Sequence, residues 1–347
     1  MKLVKAAFLT GTAMVGAGAL CAAASAAAIG AVLSRAASRR LGGKVVLITG
    51  GSRGLGLALA EAFGRRGARL VLVARDPYEL ERARQSLAER RVVRDAADVL
   101  VVPADLRRPE EAAAAIGKAT EICGRIDILV NNAGIMTVGP VENQSVEDFH
   151  DVMESNFFSG VHCALSAIPG MLRRGSGTIV NIASIGGKIA IPHMLPYTAS
   201  KFAVAGFSQG LHAELRSKGV HVLTVCPGLM RTGSHRNAVF IGDSRHEYRW
   251  FGLMASLPGV SISAAHAARR IVLAVLLQET EVAVPLQAMV GARVVALAPG
   301  IAARAMSFAT RALPSPVSRR SEPQAGADVR TLGWPPPATP GSAAAQR

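Results

Sequence analysis

Tyr197 and Lys201 stand four residues apart in a stretch, Tyr197 to Ser217, whose apolar spacing predicts a helix, so both side chains share one helical face. A tyrosine, with a reference pKa of about 10, exchanges protons poorly at neutral pH unless something favours its phenolate. A neighbouring ammonium does so, which makes the pair a candidate for moving a proton on and off an oxygen. Ser184 follows a predicted strand and is placed to hydrogen-bond such an oxygen and stabilise charge on it. The turn Thr49-Gly50-Gly51-Ser52-Arg53-Gly54-Leu55-Gly56 adds a different chemistry. A strand that ends in glycines and opens a helix aims free backbone N–H groups at open space, where the helix dipole favours an anion such as a pyrophosphate. Each feature alone has a plainer reading: a core tyrosine, a turn serine, a tight loop without a ligand.

These residues need a scaffold that brings strand ends together. Short aliphatic runs predict strands at Val45–Ile48, Arg69–Ala74, Val99–Pro103, Ile128–Asn131, Thr178–Ile182, His221–Val225 and Glu281–Val284. Helical periodicity falls between them, at residues 57–66, 78–91, 110–122, 146–172, 197–217 and 263–277. Strict alternation with short connections predicts an α/β chain, a doubly wound Rossmann fold with a parallel sheet of about seven strands. Its ligand belongs at the carboxyl ends of the strands, where the candidate residues lie.

The glycine turn, Asn131-Asn132-Ala133-Gly134, Ser184 and Tyr197-x-x-x-Lys201 together resemble the short-chain dehydrogenase/reductase family, and Pro227-Gly228 with Thr232 matches its P-G-x-x-x-T stretch. The resemblance covers roughly residues 41–287 and implies an NAD(P)-binding domain that interconverts a carbonyl and an alcohol. It implies Asn156, Ser184, Tyr197 and Lys201 as catalytic, with Asn156 supporting a water chain to the lysine. Gly50, Ser52, Arg53, Gly54, Leu55, Gly56, Arg75, Asp105, Asn132, Tyr197, Lys201 and Thr232 are the implied cofactor contacts. In a reduction, the cofactor would deliver hydride to carbon while Tyr197 protonates oxygen. NAD-selective members carry an acid at the end of the second strand; here Ala74 stands there, followed by Arg75, with Arg53 in the glycine turn. Two arginines and no acid favour NADP(H) over NAD(H). Asp76 lies one residue further on and is equally placed to start the next helix beside Pro77. Asp105-Leu106 resembles the adenine-contacting pair, its plainer reading being a helix cap before Pro109. An NAD-dependent alcohol dehydrogenase and a catalytically idle cofactor-binding scaffold are the alternatives.

The formal charge of +15 spread over 347 residues does not mark a nucleic-acid binder: residues 1–40 carry five basic residues and no acid, 288–347 seven arginines against two acids, and the middle is evenly mixed. Cys21, Cys123, Cys163 and Cys226 form no C-x-x-C pair, which argues against a zinc site or a disulfide framework and fits a reducing compartment. Ala6–Leu33 carries no charge and is flanked by lysines and then arginines, so residues 1–40 are expected to attach the chain to a membrane with the catalytic domain on the cytoplasmic side. Residues 288–313 read as an apolar helical extension broken at Pro299-Gly300, suited to a membrane interface or to docking on the enzyme itself. Residues 314–347, rich in Pro, Ser, Ala and Gly, are expected to lack structure. Leu229–Val260 holds Met230, Phe240, Tyr248, Trp250, Phe251 and Met254 and is the expected substrate lid, pointing to a lipophilic small-molecule substrate. A homo-oligomer is compatible with all of this.

Overall fold

The structure is a computed structural model that describes residues 41–231, 233–256, 261–317 and 322–331. The expected membrane segment, Thr232 and most of the last 34 residues lie outside the described residues. In chain order the first half runs β1 (Val45–Thr49), α1 (Gly54–Gly64), β2 (Arg69–Ala74), α2 (Pro77–Glu89), β3 (Val99–Pro103), α3 (Pro109–Cys123), β4 (Ile128–Asn131), β5 (Thr137–Val138), α4 (Val146–Met153) and α5 (Ser159–Arg173). The second half runs β6 (Gly177–Ile182), α6 (Leu195–Leu215), β7 (Val220–Pro227), β8 (Met230–Arg231), α7 (Ser234–Asn237), β9 (Val239–Phe240), α8 (Ser244–Ser256), β10 (Ile262–Ser263) and α9 (Ala264–Leu276). It closes with β11 (Glu281–Val284), α10 (Leu286–Leu297), α11 (Pro299–Ala309), β12 (Gln324–Ala325) and α12 (Gly326–Thr331).

Seven of these strands form one parallel sheet in the order β11-β7-β6-β4-β1-β2-β3, the doubly wound arrangement expected. The central strand β1 is buried along its whole length because both faces are covered. Val46 and Ile48 point into a core shared with Leu59, Phe63, Leu80, Ile271 and Val272, on the face covered by α1, α2 and α9. Val45 and Leu47 point into the opposite core, with Ile116, Ala119, Leu129 and Met171, under α3 and α5. Phe63 is fully buried in the first core, so truncating it to alanine removes about 3–5 kcal/mol of stability.

Two elements differ from expectation. The helix expected over 146–172 is interrupted by a π turn, Glu154–Phe158, between α4 and α5. π turns insert one extra residue and turn side chains off the regular helical face, and this one carries Asn156. Within the stretch expected to lack structure, β12 pairs antiparallel with β9, and α12 follows it. The cause is burial: Val329 closes a cluster with Val138, Phe240, Tyr248 and Phe251, which would otherwise face water. The extension at 286–309 is helical as expected, and its two segments are bent by 118° at the Pro299 break.

Candidate active site

Tyr197 enters near the start of α6, and Lys201 one turn later lies with its Nζ 5.7 Å from the Tyr197 ring centroid. Lys201 is buried and donates to the Ile182 carbonyl at the end of β6, at 2.9 Å. Burial pushes its ammonium down to about 8. Burial also pushes the Tyr197 phenol above its ordinary value, and a hydrogen bond with Ser184 pulls it partly back. The lysine's hydrogen bond goes to that carbonyl, and its ammonium faces the phenol ring without bonding the hydroxyl. The net result is a protonated phenol, the form that donates. Ser184 is itself fixed by the 3₁₀ turn Ile185–Gly187: its Oγ accepts from Gly186 N at 3.0 Å and donates to Pro227 O at 3.4 Å.

Asn156 does not reach the cleft. Its Oδ1 accepts from Ile135 N at 2.7 Å, and its Nδ2 donates to Ile135 O at 3.0 Å and to Ser200 Oγ at 2.9 Å. Ser200 Oγ in turn donates to Tyr197 O at 2.7 Å. The asparagine therefore ties the loop after β4 to α6, and Gly134 has no room for a side chain because a Cβ there would sit 2.7 Å from Asn156 Oδ1.

Tyr197 and Lys201 line a cleft of about 700 Å³ that runs along the carboxyl edge of the sheet and includes Gly50, Ser52, Arg53, Gly54, Leu55, Arg75, Asp105 and Asn132. Gly50 and Gly54 take φ values of +61° and +56°, a left-handed backbone that a side chain would strain. Gly56 has a steric reason instead: a Cβ there would stand 2.0 Å from Gly50 O. The first turn of α1 has no side-chain cap and no acid, so its N–H groups stay available to an anion. Asn132 braces this turn, donating from Nδ2 to Thr49 O at 2.9 Å and Gly50 O at 3.2 Å. Thr49 Oγ1 reciprocates by accepting from Asn132 N at 2.9 Å and Ala133 N at 3.0 Å. The residues present fit a dinucleotide, whose diphosphate matches the α1 terminus.

At the β2 end, Asp76 caps α2, accepting from Tyr78 N at 2.8 Å and Glu79 N at 3.2 Å, which settles its role as helix start. Arg75 is exposed at the rim. Arg53 is not free: its guanidinium donates to Glu79 Oε1 at 2.7 Å while Ser52 Oγ donates to Glu79 Oε2 at 3.1 Å. Asp105 accepts from Arg107 Nε at 3.0 Å on both oxygens, and that contact holds its carboxyl below the usual range. It caps no helix, α3 being preceded by Arg108.

The short chain dehydrogenase family model matches residues 44–239 of the chain. The chain belongs to that family. Among its relatives, a Dehydrogenase/reductase SDR family protein 7-like of Anopheles gambiae is 39% identical over 58% of this chain and 64% of its own length. A putative ketoacyl reductase of Streptomyces coelicolor is 38% identical over 54% of this chain and 71% of its own. The crystal structure of a short-chain dehydrogenase from Streptomyces avermitilis aligns at 27% identity with a TM-score of 0.65, covering 78% of this chain and 98% of that one. The matched stretch thus spans less than two thirds of the mosquito relative. Members of that family carry out NAD(P)-dependent oxidation and reduction between CH–OH and C=O.

Three parts of this short-chain dehydrogenase's cleft escaped the sequence reading. Glu79 pairs with residues 26 and 27 positions away, and only its place in the first turn of α2 hints at it. Arg82, one turn further along α2, also lines the cleft. The substrate end is lined by Ile135, Met136, Met230, Arg236 and Ala238, and by Ala327 from the C-terminal α12. Of the six apolar residues expected to wall the pocket, Met230 does so; Phe240, Tyr248 and Phe251 are buried in a separate cluster, Trp250 donates to the buried Glu247 at 2.5 Å, and Met254 is exposed outside the cleft.

Proposed function

We propose that this chain is an NADP-preferring reductase of a carbonyl group on a lipophilic substrate, working while attached to a membrane. The observation that carries the proposal is Tyr197 on the wall of the cleft, its phenol held above the ordinary value by burial, with the Lys201 ammonium one helical turn away and 5.7 Å from its ring. Gly50, Gly54, Leu55 and Asn132 would hold a nicotinamide dinucleotide in this cleft, which would supply a hydride to the carbonyl carbon. Tyr197 Oη gives its proton to the carbonyl oxygen, so that C=O becomes CH–OH with one hydride and one proton added. Ser184 orients the phenol, Lys201 stabilises the phenolate left behind, and Asn156 positions both through Ile135 and Ser200.

The NADP preference is supported by Arg53, Arg75 and Arg82 around one rim, by Ala74 in the place of an acid, and by Asp76 being spent on a helix cap. One observation favours the NAD-dependent alcohol dehydrogenase instead: Glu79 lies at the same rim and its carboxylate suits ribose hydroxyls. Ile135, Met136, Met230 and Ala238 support an apolar substrate body, and the name of the Streptomyces coelicolor relative, a ketoacyl reductase, is in keeping with it. Membrane attachment is supported by the uncharged run in residues 1–40 and by α11, where Ile301 is 72% and Phe308 70% exposed beside Arg304 and Arg311. Among the described residues no single helix is long and apolar enough to cross a membrane.

The test is Tyr197→Phe in the full chain, with substrates drawn from a carbonyl screen. Turnover should fall by about three orders of magnitude, while the dissociation constant for NADPH stays within about twofold. Undiminished turnover would remove Tyr197 as the proton donor.

A further inference from the structure

Arg236 is the half-buried member of three cleft arginines that have no ion-pair partner among the described residues, Arg75 and Arg82 being exposed to solvent. Arg236, on the short α7 after β8, lines the cleft with Asn237, Ala238 and Met230. Its side chain is half-buried, and its Nε is shielded from water with no hydrogen-bond partner. The neighbouring arginines differ: Arg53 is paired with Glu79 and Arg107 with Asp105. Among the described residues no carboxylate lies within ion-pair distance of Arg236. A shielded guanidinium donor that meets neither water nor an acceptor is costly, and native folds keep few of them without a reason. Guanidinium geometry matches the paired oxygens of a carboxylate or a phosphate.

We infer that Arg236 receives an anionic group carried by the substrate, so the preferred carbonyl compounds have an apolar body and a carboxylate or phosphate at the far end. The apolar part is met by Ile135, Met136, Met230 and Ala238 on the same cleft. Arg236 thereby sets specificity and leaves the chemistry at Tyr197 untouched. The inference rests on the reductase reading. The other anion able to reach this cleft is the cofactor's own diphosphate, and the experiment separates the two.

The full chain is assayed with saturating NADPH on azelaic semialdehyde, a carboxylate-bearing aldehyde, and on its neutral methyl ester. The wild type should favour the acid, and Arg236→Met should lower the acid-to-ester ratio of kcat/KM at least tenfold, mainly through KM. Arg236→Lys, which keeps the charge but loses the fork, should restore part of the ratio and guards against a folding defect. A non-reactive arm uses azelate and dimethyl azelate as thermal-shift probes: azelate alone should stabilise the wild type, and Arg236→Met should abolish the shift. An unchanged ratio, or weakening of NADPH binding by Arg236→Met, overturns the inference, the second outcome assigning Arg236 to the diphosphate. Azelate stabilisation that depends on Arg236 in a chain that reduces neither aldehyde would uphold the anion site and sink the reductase reading.

Discussion

Replacing Glu79 by glutamine should tighten NADPH binding, although Glu79 lies on the cofactor cleft. Glu79 accepts from Arg53 at 2.7 Å and from Ser52 at 3.1 Å, the two donors that a 2′-phosphate on the adenosine ribose would use. A 2′-phosphate that took these two donors would displace the Glu79 carboxylate from them, so binding NADPH would exchange one anion for another. The Arg53 side chain is 51% exposed and Glu79 21%, so solvent screens the pair and releasing it costs about 0.2–1 kcal/mol. The displaced carboxylate still repels a phosphate about 5 Å away by roughly 1 kcal/mol per unit charge in a water-like medium. Glutamine removes the repulsion and weakens the pair, a combined gain of about 1–2 kcal/mol, or roughly five- to thirtyfold in affinity. NADH lacks the phosphate and should change by less than about twofold. Titrating the full chain with NADPH and NADH by nucleotide fluorescence gives both constants. The gain should shrink in about 1 M salt, where screening acts over about 3 Å. It should also shrink in an Arg53→Met background, because the two residues act as one unit. Loss of NADH affinity in Glu79→Gln would refute the reasoning, since Glu79 would then be holding ribose hydroxyls and the NAD-dependent reading would replace the NADP one.

With the Lys201 ammonium pushed down to about 8 and Tyr197 raised, both groups are protonated at neutral pH. The rate of carbonyl reduction should therefore be level up to about pH 7.5 and fall as pH rises through 8, when Lys201 loses its charge; a pH–rate profile whose falling limb begins near 10 would mean that Lys201 is not desolvated in the working enzyme. Deleting residues 1–40 should release the protein from phosphatidylserine-containing vesicles in a sedimentation assay. If it stays bound, Ile301→Asp with Phe308→Asp should release it, because these exposed side chains are what α11 would bury in a lipid surface; retention after both changes rules out the two proposed membrane contacts.

The sheet was legible because its strands are continuous aliphatic runs ended by glycine or proline, a pattern that burial on both faces demands. Tyr197, Lys201 and the glycine turn were legible because their geometry is local, set by one helical turn or one bend. What stayed hidden depends on contacts between distant segments. The π turn at Glu154–Phe158 leaves no mark in composition, since one added residue shifts a helix without changing its residue types. The ordering of residues 324–331 depends on a single Val329 meeting a hydrophobic cluster on the far side of the sequence, which Pro- and Gly-rich surroundings conceal. Asp76 offered two readings, and the backbone N–H groups of Tyr78 and Glu79 decided between them.

The same geometry bears on how tightly this cleft can hold a ligand. Several of its donors are already engaged: Ser52 and Arg53 by Glu79, Arg107 by Asp105 and Lys201 by the Ile182 carbonyl. A ligand that takes these donors exchanges one hydrogen bond for another and gains far less than a count of its contacts suggests. The uncapped first turn of α1, the shielded Nε of Arg236 and the exposed Arg75 and Arg82 differ, because an anion there meets donors that no described protein group engages. On the proposed reading, affinity should be concentrated at the diphosphate, the arginine rim and the substrate's charged end, while Tyr197 and Lys201 between them act through orientation. On that reading Tyr197 serves turnover rather than affinity, and α6 has to hold it in position before the substrate arrives if the proton is to follow the hydride.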